Sequence, residues 1–552
     1  MDNQKIILFF ALSFVLLLIW QAWQQDFGTG TADNGVAQTV TPPAADIPAA
    51  PAAQPGAAQE AGPAVTPAPP APRGFQRGER IHVVTDLLDV QLDTTGGDVR
   101  DVALLRYPVS TEKQDEPFRL MRDEGGHVFI AQSGLISQQV APDHYAVYSA
   151  DAAEYRLQGD ELRVPLHWVG ADGVRVTKTY VFHRDSYVIE IESRVDNGSA
   201  APWTGYQYRQ FQRSLPGEDE KNRFLYTYTG GVIYSQDKKY EKIKFEDMDK
   251  QDLNRHITGG WAAMIQHYFI GAWLPAATES NEFYSKAPKG QPYVLGLLSE
   301  AKTAAPGETA EFSSRLFVGP KDQQRMEQAA EGLRLTVDYG VLTVLAQPLF
   351  WLMKYIHGVV GNWGWAIILL TLMVKLVFFK LSEAGYRSMA NMRLLQPKLV
   401  QLRERYGDDR QRMSQAMMEL YKKEKINPLG GCLPMIVQIP VFIALYWVLL
   451  ESVELRQAPF VLWIHDLSTK DPYYILPLLM GATMFIQQKL NPPPPDPIQA
   501  KVLMALPFIF TLFFAFFPAG LVLYWVANSV LSILQQWYIT RRIEKAGQAA
   551  KA

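Results

Sequence analysis

Residues 365–379 read WAIILLTLMVKLVFF, an apolar run that contains a single lysine, Lys375. The wider apolar segment, residues 359–381, is long enough to cross a bilayer as a helix, which takes about 20 mostly apolar residues. A charged side chain in such a segment is a functional hypothesis, because its burial in hydrocarbon is costly. This stretch therefore predicts a membrane protein that keeps a lysine inside the bilayer.

The rest of this half of the chain continues the apolar pattern. Including the first segment, we predict five spans at about 359–381, 429–450, 473–488, 502–517 and 520–538. Before them, residues 339–357 have apolar side chains at helical spacing, from Leu342 to Ile356. This predicts an amphipathic helix in the outer membrane interface; the alternative is a helix packed under the preceding domain.

The amino-terminal region predicts a membrane anchor and a tether. Residues 6–23 are apolar and end at Trp23 rather than at the small residues of a cleavage site, which favours an uncleaved signal-anchor span over residues 1–25. Residues 42–72 hold 12 Ala and 10 Pro in 31 positions. Such a stretch cannot bury enough apolar surface to fold, so we read residues 26–75 as a linker.

Residues 76–335 predict a soluble all-β domain. Short alternating segments such as residues 187–191 are separated by turn signals such as Asp172-Gly173, the pattern of a large antiparallel sandwich. Several aromatic residues fill either its core or a groove for a sugar or a peptide: Tyr226, Tyr228, Tyr234, Trp261 and Trp273.

The distribution of Lys and Arg predicts the orientation. Residues 380–427 carry 11 Lys and Arg against 6 Asp and Glu, whereas residues 451–472 carry 2 against 4. Because Lys and Arg prefer cytoplasmic loops, residues 380–427, both termini and the tail 542–552 are expected in the cytoplasm. The β-domain and residues 451–472 are then expected outside, and six spans alternate without conflict.

Residues 384–425 predict a cytoplasmic helical hairpin with its turn at residues 407–409. Five methionines and a neighbouring arginine mark it: Met389, Met392, Met413, Met417, Met418 and Arg393. Flexible methionines suit a surface that accepts varied apolar segments, or they simply fill the seam of the hairpin. The positive charge suits anionic lipid or ribosomal RNA.

Composition excludes several classes of function. The net charge is only −3, one cysteine is present, and no two histidines are four residues apart. The sequence has neither a phosphate-binding G-x-x-x-x-G-K-[ST] loop nor a G-x-S-x-G element. We therefore expect no enzyme activity, no cofactor, no metal and no DNA partner.

Lys375 has two interpretations. The side chain can snorkel toward Lys380, about 7.5 Å further along a helix. Alternatively it faces a polar cavity together with Thr371, one turn earlier on the same face. The span cores contain no acidic residue that could pair with Lys375 in a proton relay. Other spans offer polar side chains at a compatible depth: Gln438, Gln487, Asn528, Ser529, Ser532 and Gln535.

Several separate motifs, in order, resemble the YidC/Oxa membrane protein insertases. They are Met392-Arg-Leu-Leu-Gln-Pro397, Asn427-Pro-Leu-Gly-Gly-Cys-Leu-Pro434 with Gln438-Ile-Pro440, Leu455-Arg-Gln-Ala-Pro-Phe460, Trp463-Ile-His-Asp466, Asp471-Pro-Tyr-Tyr-Ile-Leu-Pro477 and Phe517-Pro-Ala-Gly-Leu-Val-Leu-Tyr524. The anchor, tether and β-domain resemble the Gram-negative form. That form implies a periplasmic β-supersandwich, six spans, a five-helix insertase core within residues 358–541, and residence in the inner membrane.

The resemblance also implies a function and its residues. Such proteins insert, fold and help assemble inner-membrane proteins, alone or beside the Sec translocon, through a hydrophilic groove open to the cytoplasm and the lipid. The implied groove charge is Lys375, where the family often has arginine, and the implied groove and substrate contacts are Thr371, Gln438, Tyr524, Trp525, Asn528 and Ser532. The implied hydrophobic slide consists of Leu433, Pro434, Met435, Ile439, Pro440, Phe442 and Phe513.

The implied partners are nascent inner-membrane proteins, the Sec translocon with its component SecD, membrane lipids, and the ribosome or the signal recognition machinery. Two other function classes stay open at this point. A solute transporter or channel predicts inverted repeats and broken helices with midplane sites. A sensor or polysaccharide-handling enzyme built on the β-domain predicts a pair of carboxylates in a cleft.

Overall fold

The structure is a computed structural model that describes Pro48 and residues 77–549, without residues 125, 218–226, 408, 425–432 and 492–496. For residues 394, 403, 410, 433–436, 497–499 and 544–549 it describes the backbone only. The predicted anchor 1–25 and, apart from Pro48, the linker 26–75 lie outside the described residues.

Among the described residues, twenty strands form two sheets. The strands are β1 Arg80–Val84, β2 Leu88–Asp93, β3 Asp98–Pro108, β4 Pro117–Met121, β5 Phe129–Ser137, β6 Ser149–Ala150, β7 Glu154–Arg156, β8 Glu161–Val169, β9 Val174–His183, β10 Val188–Asn197, β11 Trp203–Arg213, β12 Gly230–Ser235, β13 Lys239–Ile243, β14 Asn254–Thr258, β15 Trp261–Gln266, β16 Phe269–Leu274, β17 Ser280–Lys286, β18 Tyr293–Ser299, β19 Lys302–Ala304 and β20 Thr309–Pro320.

The first sheet has the order β14-β17-β18-β11-β5-β3-β2-β1-β7, with β19 paired to β11 and β4 paired to β3. The second sheet has the order β13-β12-β15-β16-β20-β10-β9-β8-β6. The pairs are antiparallel except β1 with β7. The predicted all-β architecture of this half of the chain is therefore observed.

The strands form because apolar and polar side chains alternate with the period of an extended chain. In β10, Ile189 and Ile191 are fully buried, whereas Glu190 and Glu192 between them are partly exposed. Asp172-Gly173 supplies the turn into β9, and Gly173 has the positive φ of +91° that favours glycine.

Large aromatic side chains from the two sheets meet in the core. The rings of Phe211 in β11 and Trp273 in β16 lie 5.9 Å apart. Tyr234, Trp261 and Trp273 are at most 3% exposed. These side chains belong to the core, so they do not line a ligand groove; Tyr226 lies outside the described residues.

Eleven α-helices are found in the described residues. They are α1 Phe245–Met248, α2 Gln323–Ala329, α3 Thr343–Val360, α4 Trp363–Val377, α5 Phe379–Leu394, α6 Gln396–Tyr406, α7 Arg410–Lys423, α8 Leu433–Glu451, α9 Ile475–Leu490, α10 Pro497–Phe514 and α11 Ala519–Ala549. Among the described residues, no single helix is both long and apolar enough to cross a bilayer, while α4 and residues 379–393, which meet at 70°, pass that test as a pair.

The helices α4, α5, α8 and α9 pack around α11, while α6 contacts α5 and α7. α9 and α10 approach closely at Gly481. A side chain there would collide with Thr511, because a Cβ at position 481 would stand only 2.0 Å from its Oγ1. Small residues allow helices to approach this closely.

The β-domain is joined to the bundle at the carboxyl end of α8. Lys321 Nζ lies 2.9 Å from Glu451 Oε2, and both side chains are at most 8% exposed. The His267 imidazole lies 2.9 Å from the Leu450 carbonyl oxygen. Burial lowers the pKa of His267, which keeps the ring neutral near pH 7.

Candidate functional site

Lys375 lies in the last turn of α4 and is only 7% exposed. Its Nζ donates a hydrogen bond to Ser532 Oγ at 2.7 Å, and Ser532 Oγ donates to the Asn528 carbonyl at 2.7 Å. In the described part of the chain, Lys375 has no carboxylate within 4.0 Å. The ammonium is therefore held by a neutral hydroxyl.

The helix itself helps to tolerate this charge. Lys375 stands where the carbonyl dipoles of α4 end, and cations are stabilised at that end of a helix. Thr371, one turn earlier, is 2% exposed and donates its hydroxyl proton to the Ile367 carbonyl at 2.7 Å. Thr371 shares the face of α4 with Lys375 as predicted, but its hydroxyl is bonded to its own helix.

Asn528 and Gln438 extend the polar cluster from α11 to α8. Gln438 Nε2 donates to Asn528 Oδ1 at 3.0 Å. Asn528 and Ser532 lie four residues apart, so they share one face of α11. Gln438 and Asn528 are both half-buried, so this end of the cluster reaches the surface of the bundle.

Aromatic side chains close the cluster on one side. The Phe442 ring lies 5.8 Å from Tyr524 and 4.5 Å from Trp525. Trp525 in turn lies 5.6 Å from Phe514 of α10. Within the described residues, the buried indole nitrogen of Trp525 has no hydrogen-bond partner. The structure thus brings Tyr524, Trp525 and Phe442 together.

The predicted slide is only partly assembled. Ile439, Pro440 and Phe442 are half-buried on α8, and Phe513 is 49% exposed on α10. Phe513 has ring contacts with Phe514 and Phe517 rather than with Phe442. Leu433, Pro434 and Met435 lie in α8, but their side chains are outside the description.

The six residues that mark the predicted hairpin lie on two helices. Met389, Met392 and Arg393 lie on α5, and Met413, Met417 and Met418 lie on α7. Met418 is exposed, and the other four methionines are half-buried. The predicted first arm is interrupted at Leu395, because Pro397 has no amide proton and its ring obstructs a continuing helix.

The helices α6 and α7 flank the position at which the sequence predicts the turn. α6 and α7 contact each other on either side of residues 407–409. Asp409 caps α7 by accepting from the amides of Gln411 and Arg412. Lys398 and Glu424 form an ion pair of 2.6 Å across the two helices.

Two polar residues of the cluster were missed in the sequence. Tyr386 of α5 is half-buried and lies next to Ser532. Gln536 is 3% exposed and donates to the Leu490 carbonyl at 3.3 Å. Gln536 lies four residues after Ser532, so helical spacing could have predicted that both share one face of α11. Tyr386 could not be predicted in this way, because only the bend between α4 and α5 brings it to Ser532.

Comparisons with known proteins cover nearly the whole chain. The family model described as the YidC periplasmic domain matches residues 80–352, and the one described as 60Kd inner membrane protein matches residues 355–546. The membrane protein insertase YidC of Thioalkalivibrio sulfidiphilus is 55% identical over 569 residues, covering 99% of this chain and 100% of that protein. That of Methylococcus capsulatus is 54% identical over 551 residues, covering 99% of each.

A solved structure of an active YidC insertase with its first transmembrane domain resolved has 16% identity and a TM-score of 0.38, covering 84% of this chain and 93% of that one. This score is too low to support an argument. The two family models describe a periplasmic domain followed by an inner membrane protein, in the same order as the β-sandwich and the helical bundle of this chain. The chain belongs to the YidC family of membrane protein insertases. The prediction of an insertase rather than an enzyme is thereby confirmed.

Proposed function

We propose that the chain inserts and folds inner-membrane proteins through a hydrophilic groove between α4, α8 and α11, open to the cytoplasm and the lipid. The observation that carries the proposal is the Lys375 ammonium, buried against the neutral hydroxyl of Ser532. A lysine at the centre of a span costs about 2.5–3.5 kcal/mol on insertion scales. A polar, hydrated neighbourhood is what lowers that cost.

The groove would act by shortening the apolar barrier. A polar or acidic part of an arriving segment would be held near Lys375, Gln438 and Asn528, while its apolar part partitions into lipid. Burial of that apolar surface contributes about 25 cal/mol per Å². The process needs no nucleotide, which agrees with the lack of phosphate-binding motifs in the sequence.

The substrate helix would leave along α8 and α10. Large apolar side chains are exposed on α10, as expected of a surface that faces lipid or a client: Val502, Met504, Phe508, Ile509, Leu512 and Phe513. Together with Ile439, Pro440 and Phe442 they would form the slide, to which the sequence also assigns Leu433, Pro434 and Met435.

The membrane topology is also a proposal. We infer a signal-anchor span in residues 1–25, a linker at 26–75, a periplasmic domain at 76–335 and five further spans within 358–541. The hairpin 384–425 and both termini would be cytoplasmic. Helix α3, the predicted interfacial helix 339–357, exposes Trp351, Tyr355 and Val359 by 64–74%, which suits the membrane interface.

The proposed partners follow from the family and from the charge pattern. They are nascent inner-membrane proteins, the Sec translocon with SecD, membrane lipids, and the ribosome or the signal recognition machinery. The Lys and Arg residues and the exposed Met418 on the hairpin suit contact with anionic or apolar partners. No cofactor is needed for the proposed activity.

The test is insertion of a one- or two-span client into liposomes that hold only this purified protein. We expect the client to become protected from protease with wild type and not with empty liposomes. Lys375→Ala should reduce protection about tenfold or more, because a charge-assisted hydrogen bond contributes about 1.5–3 kcal/mol.

The matched control is Lys380→Ala, whose side chain is 91% exposed and which should insert the client normally. Normal insertion by Lys375→Ala with several clients would refute the role of the groove charge. Failure of folded wild type to insert any competent client alone would leave a chaperone that depends on the Sec translocon.

A further inference from the structure

The connection that follows α9 lacks the amide protons that usually complete the end of a helix. The last carbonyl groups of a helix have no partner within it and often accept from the amides of the next residues. Residues 492–495 are four consecutive prolines, which have no amide proton. The amide of Asn491 donates to the Gln488 carbonyl at 3.3 Å. The Leu490 carbonyl therefore depends on water or on a side chain from another element.

Gln536 of α11 supplies this donor. Its Nε2 donates to the Leu490 carbonyl at 3.3 Å and to Asn491 Oδ1 at 3.1 Å, and Gln536 is 3% exposed. The orientation of its amide group is fixed, because a carbonyl oxygen can only accept a hydrogen bond. The carboxyl end of α9 is therefore bound to α11 through one buried amide.

The same face of α11 binds two other helices. Asn528, Ser532 and Gln536 follow one another at intervals of four residues, so they share this face. Asn528 accepts from Gln438 of α8 at 3.0 Å. Ser532 accepts from Lys375 of α4 at 2.7 Å. Gln536 thus binds α9 one turn away from the hydroxyl that holds the proposed groove charge.

The position of α9 also affects the position of α10. The two helices pack together, with a close approach of Gly481 and Thr511. The carboxyl end of α10 reaches α11 through the rings of Phe514 and Trp525, whose centroids lie 5.6 Å apart. The opposite end of the α9–α10 pair is bound to α11 by Gln536. Because α10 carries the exposed apolar side chains of the proposed slide, Gln536 helps to hold the slide beside the groove.

We propose that Gln536 is a positioning residue for insertion, which holds α9 and α10 at the distance from Lys375 that a client segment requires. This inference rests on the proposed function and deepens it. Gln536 acts through α9. Its Oε1 is buried without a partner among the described residues, which costs stability. An apolar side chain of similar length would therefore serve a purely structural role equally well, so Gln536→Met separates the two roles.

The first arm of the test measures insertion of a one- or two-span client by the full chain in liposomes, at saturating client. Gln536→Met should lower the insertion rate about three- to tenfold, as expected for lost hydrogen bonds. Its thermal unfolding midpoint should change little, because the change also removes the unpartnered oxygen. Asn491→Ala keeps the bond to the Leu490 carbonyl and should have a smaller effect. Gln328→Met, on an exposed position of α2, is the control and should insert normally.

The second arm measures the geometry without a client. Spin labels at the exposed positions Lys380→Cys and Lys501→Cys, in a Cys432→Ser background, report the distance between the amino ends of α5 and α10. Gln536→Met should make this distance longer and its distribution broader.

A third arm replaces the hydrogen bonds by a covalent link. The pair Asn491→Cys and Gln536→Cys, in the Cys432→Ser background, should insert the client poorly. A short bis-methanethiosulfonate reagent that joins the two cysteines should restore insertion, and a reductant that removes the link should abolish the rescue.

Normal insertion by Gln536→Met would overturn the proposal, and so would a loss of insertion that the covalent link does not restore. A loss with an unchanged distance would also overturn it, and a loss that follows a lowered unfolding midpoint would make Gln536 a structural residue. Failure of the proposed function is distinguishable, because wild type would then insert no client. The distance arm needs no client, so an unchanged distance in Gln536→Met would refute the positioning role alone.

Discussion

Two of the lysines buried among the described residues, Lys178 in the β-domain and Lys375 in the helical bundle, have different surroundings. Lys178 of β9 is 1% exposed and donates to the Gly96 carbonyl at 3.0 Å and the Ser133 carbonyl at 2.7 Å, with Asp98 at 4.0 Å. Lys375 of α4 is 7% exposed and donates to Ser532 Oγ.

From this difference we infer that Lys178 is a structural charge, whereas Lys375 is the proposed functional one. Burial lowers the pKa of Lys178 to about 8, while Asp98 partly opposes the shift. The Lys178 ammonium is satisfied by fixed backbone acceptors inside a closed core, so it has nothing left to offer a ligand. Lys375 has a single neutral acceptor and remains able to bind an incoming polar group.

The largest effect is expected from Lys178→Met. The change leaves the buried Gly96 and Ser133 carbonyls without their donor and removes the nearest ammonium from Asp98. We expect the β-domain to lose about 3–5 kcal/mol of stability, as for other broken buried pairs. Thermal unfolding followed by the β-sheet signal measures it, with the exposed Lys113→Met as control. An unchanged midpoint would mean that Lys178 is not structural.

The joint between the two halves predicts a pH dependence. Burial raises the pKa of Glu454 to about 7, with Asp322 raising it further and Lys354 lowering it. The folded protein then binds more protons than the unfolded chain between pH 4.5 and 7, so stability falls as the pH rises through this window, by about 3 kcal/mol at most.

Glu454→Gln removes that titration and the negative charge from a buried side chain whose Oε1 has no partner among the described residues. We expect this substitution to raise the unfolding midpoint at pH 8, where it should add about 1–3 kcal/mol to the free energy of unfolding. At pH 5 it should leave the stability nearly unchanged. The exposed Glu300→Gln serves as the control. If the unfolding midpoints of wild type and Glu454→Gln changed equally with pH, Glu454 would not be the source of the pH dependence.

A smaller effect is expected from Gly481→Ala. Its Cβ would meet Thr511 Oγ1, which already donates to the Pro507 carbonyl at 2.7 Å, so α9 and α10 must separate. Overpacking of this kind costs about 1–3 kcal/mol. Gly358→Ala, where nothing lies within 4 Å, should be harmless. The Thr511→Ala change should rescue Gly481→Ala; without rescue, the close approach is not the cause.

The smallest effect is expected from Ser532→Ala. The variant keeps the Lys375 charge but removes its acceptor, so insertion of a client should fall about three- to tenfold, less than with Lys375→Ala. Ser529→Ala, one turn earlier on α11 and equally buried, should insert normally. A Ser532→Ala defect as large as that of Lys375→Ala would show that the hydroxyl, and not the ammonium, is the essential group.

The sequence predicted the parts whose signal is local. Period-two alternation identified the β-domain, and helical spacing put Thr371 on the same face as Lys375. The hydrogen bonds of Gln438 with Asn528 and of Lys375 with Ser532 could not be predicted from the sequence, because the partners are 90 and 157 positions apart. Only the packing of α4, α8 and α11 brings them together.

The contact between the β-domain and the helical bundle could not be predicted either, because its residues are also far apart in the sequence. Lys321 and Glu451 are separated by 130 residues, and the sequence places the first in the β-domain and the second in an outer loop. Arg456 read simply as one of two basic residues in an outer loop. Its contact with Pro108, 348 positions away, depends on how the β-domain sits on α8.

The central claim is that water reaches Lys375 from the cytoplasm. The most direct measurement is reactivity of Lys375→Cys, in a Cys432→Ser background, toward a charged maleimide that cannot cross the membrane. The account predicts labelling from the cytoplasmic side only, while Lys178→Cys in the same background stays unlabelled in the folded protein. No labelling of position 375 from either side, or labelling from outside alone, would contradict it.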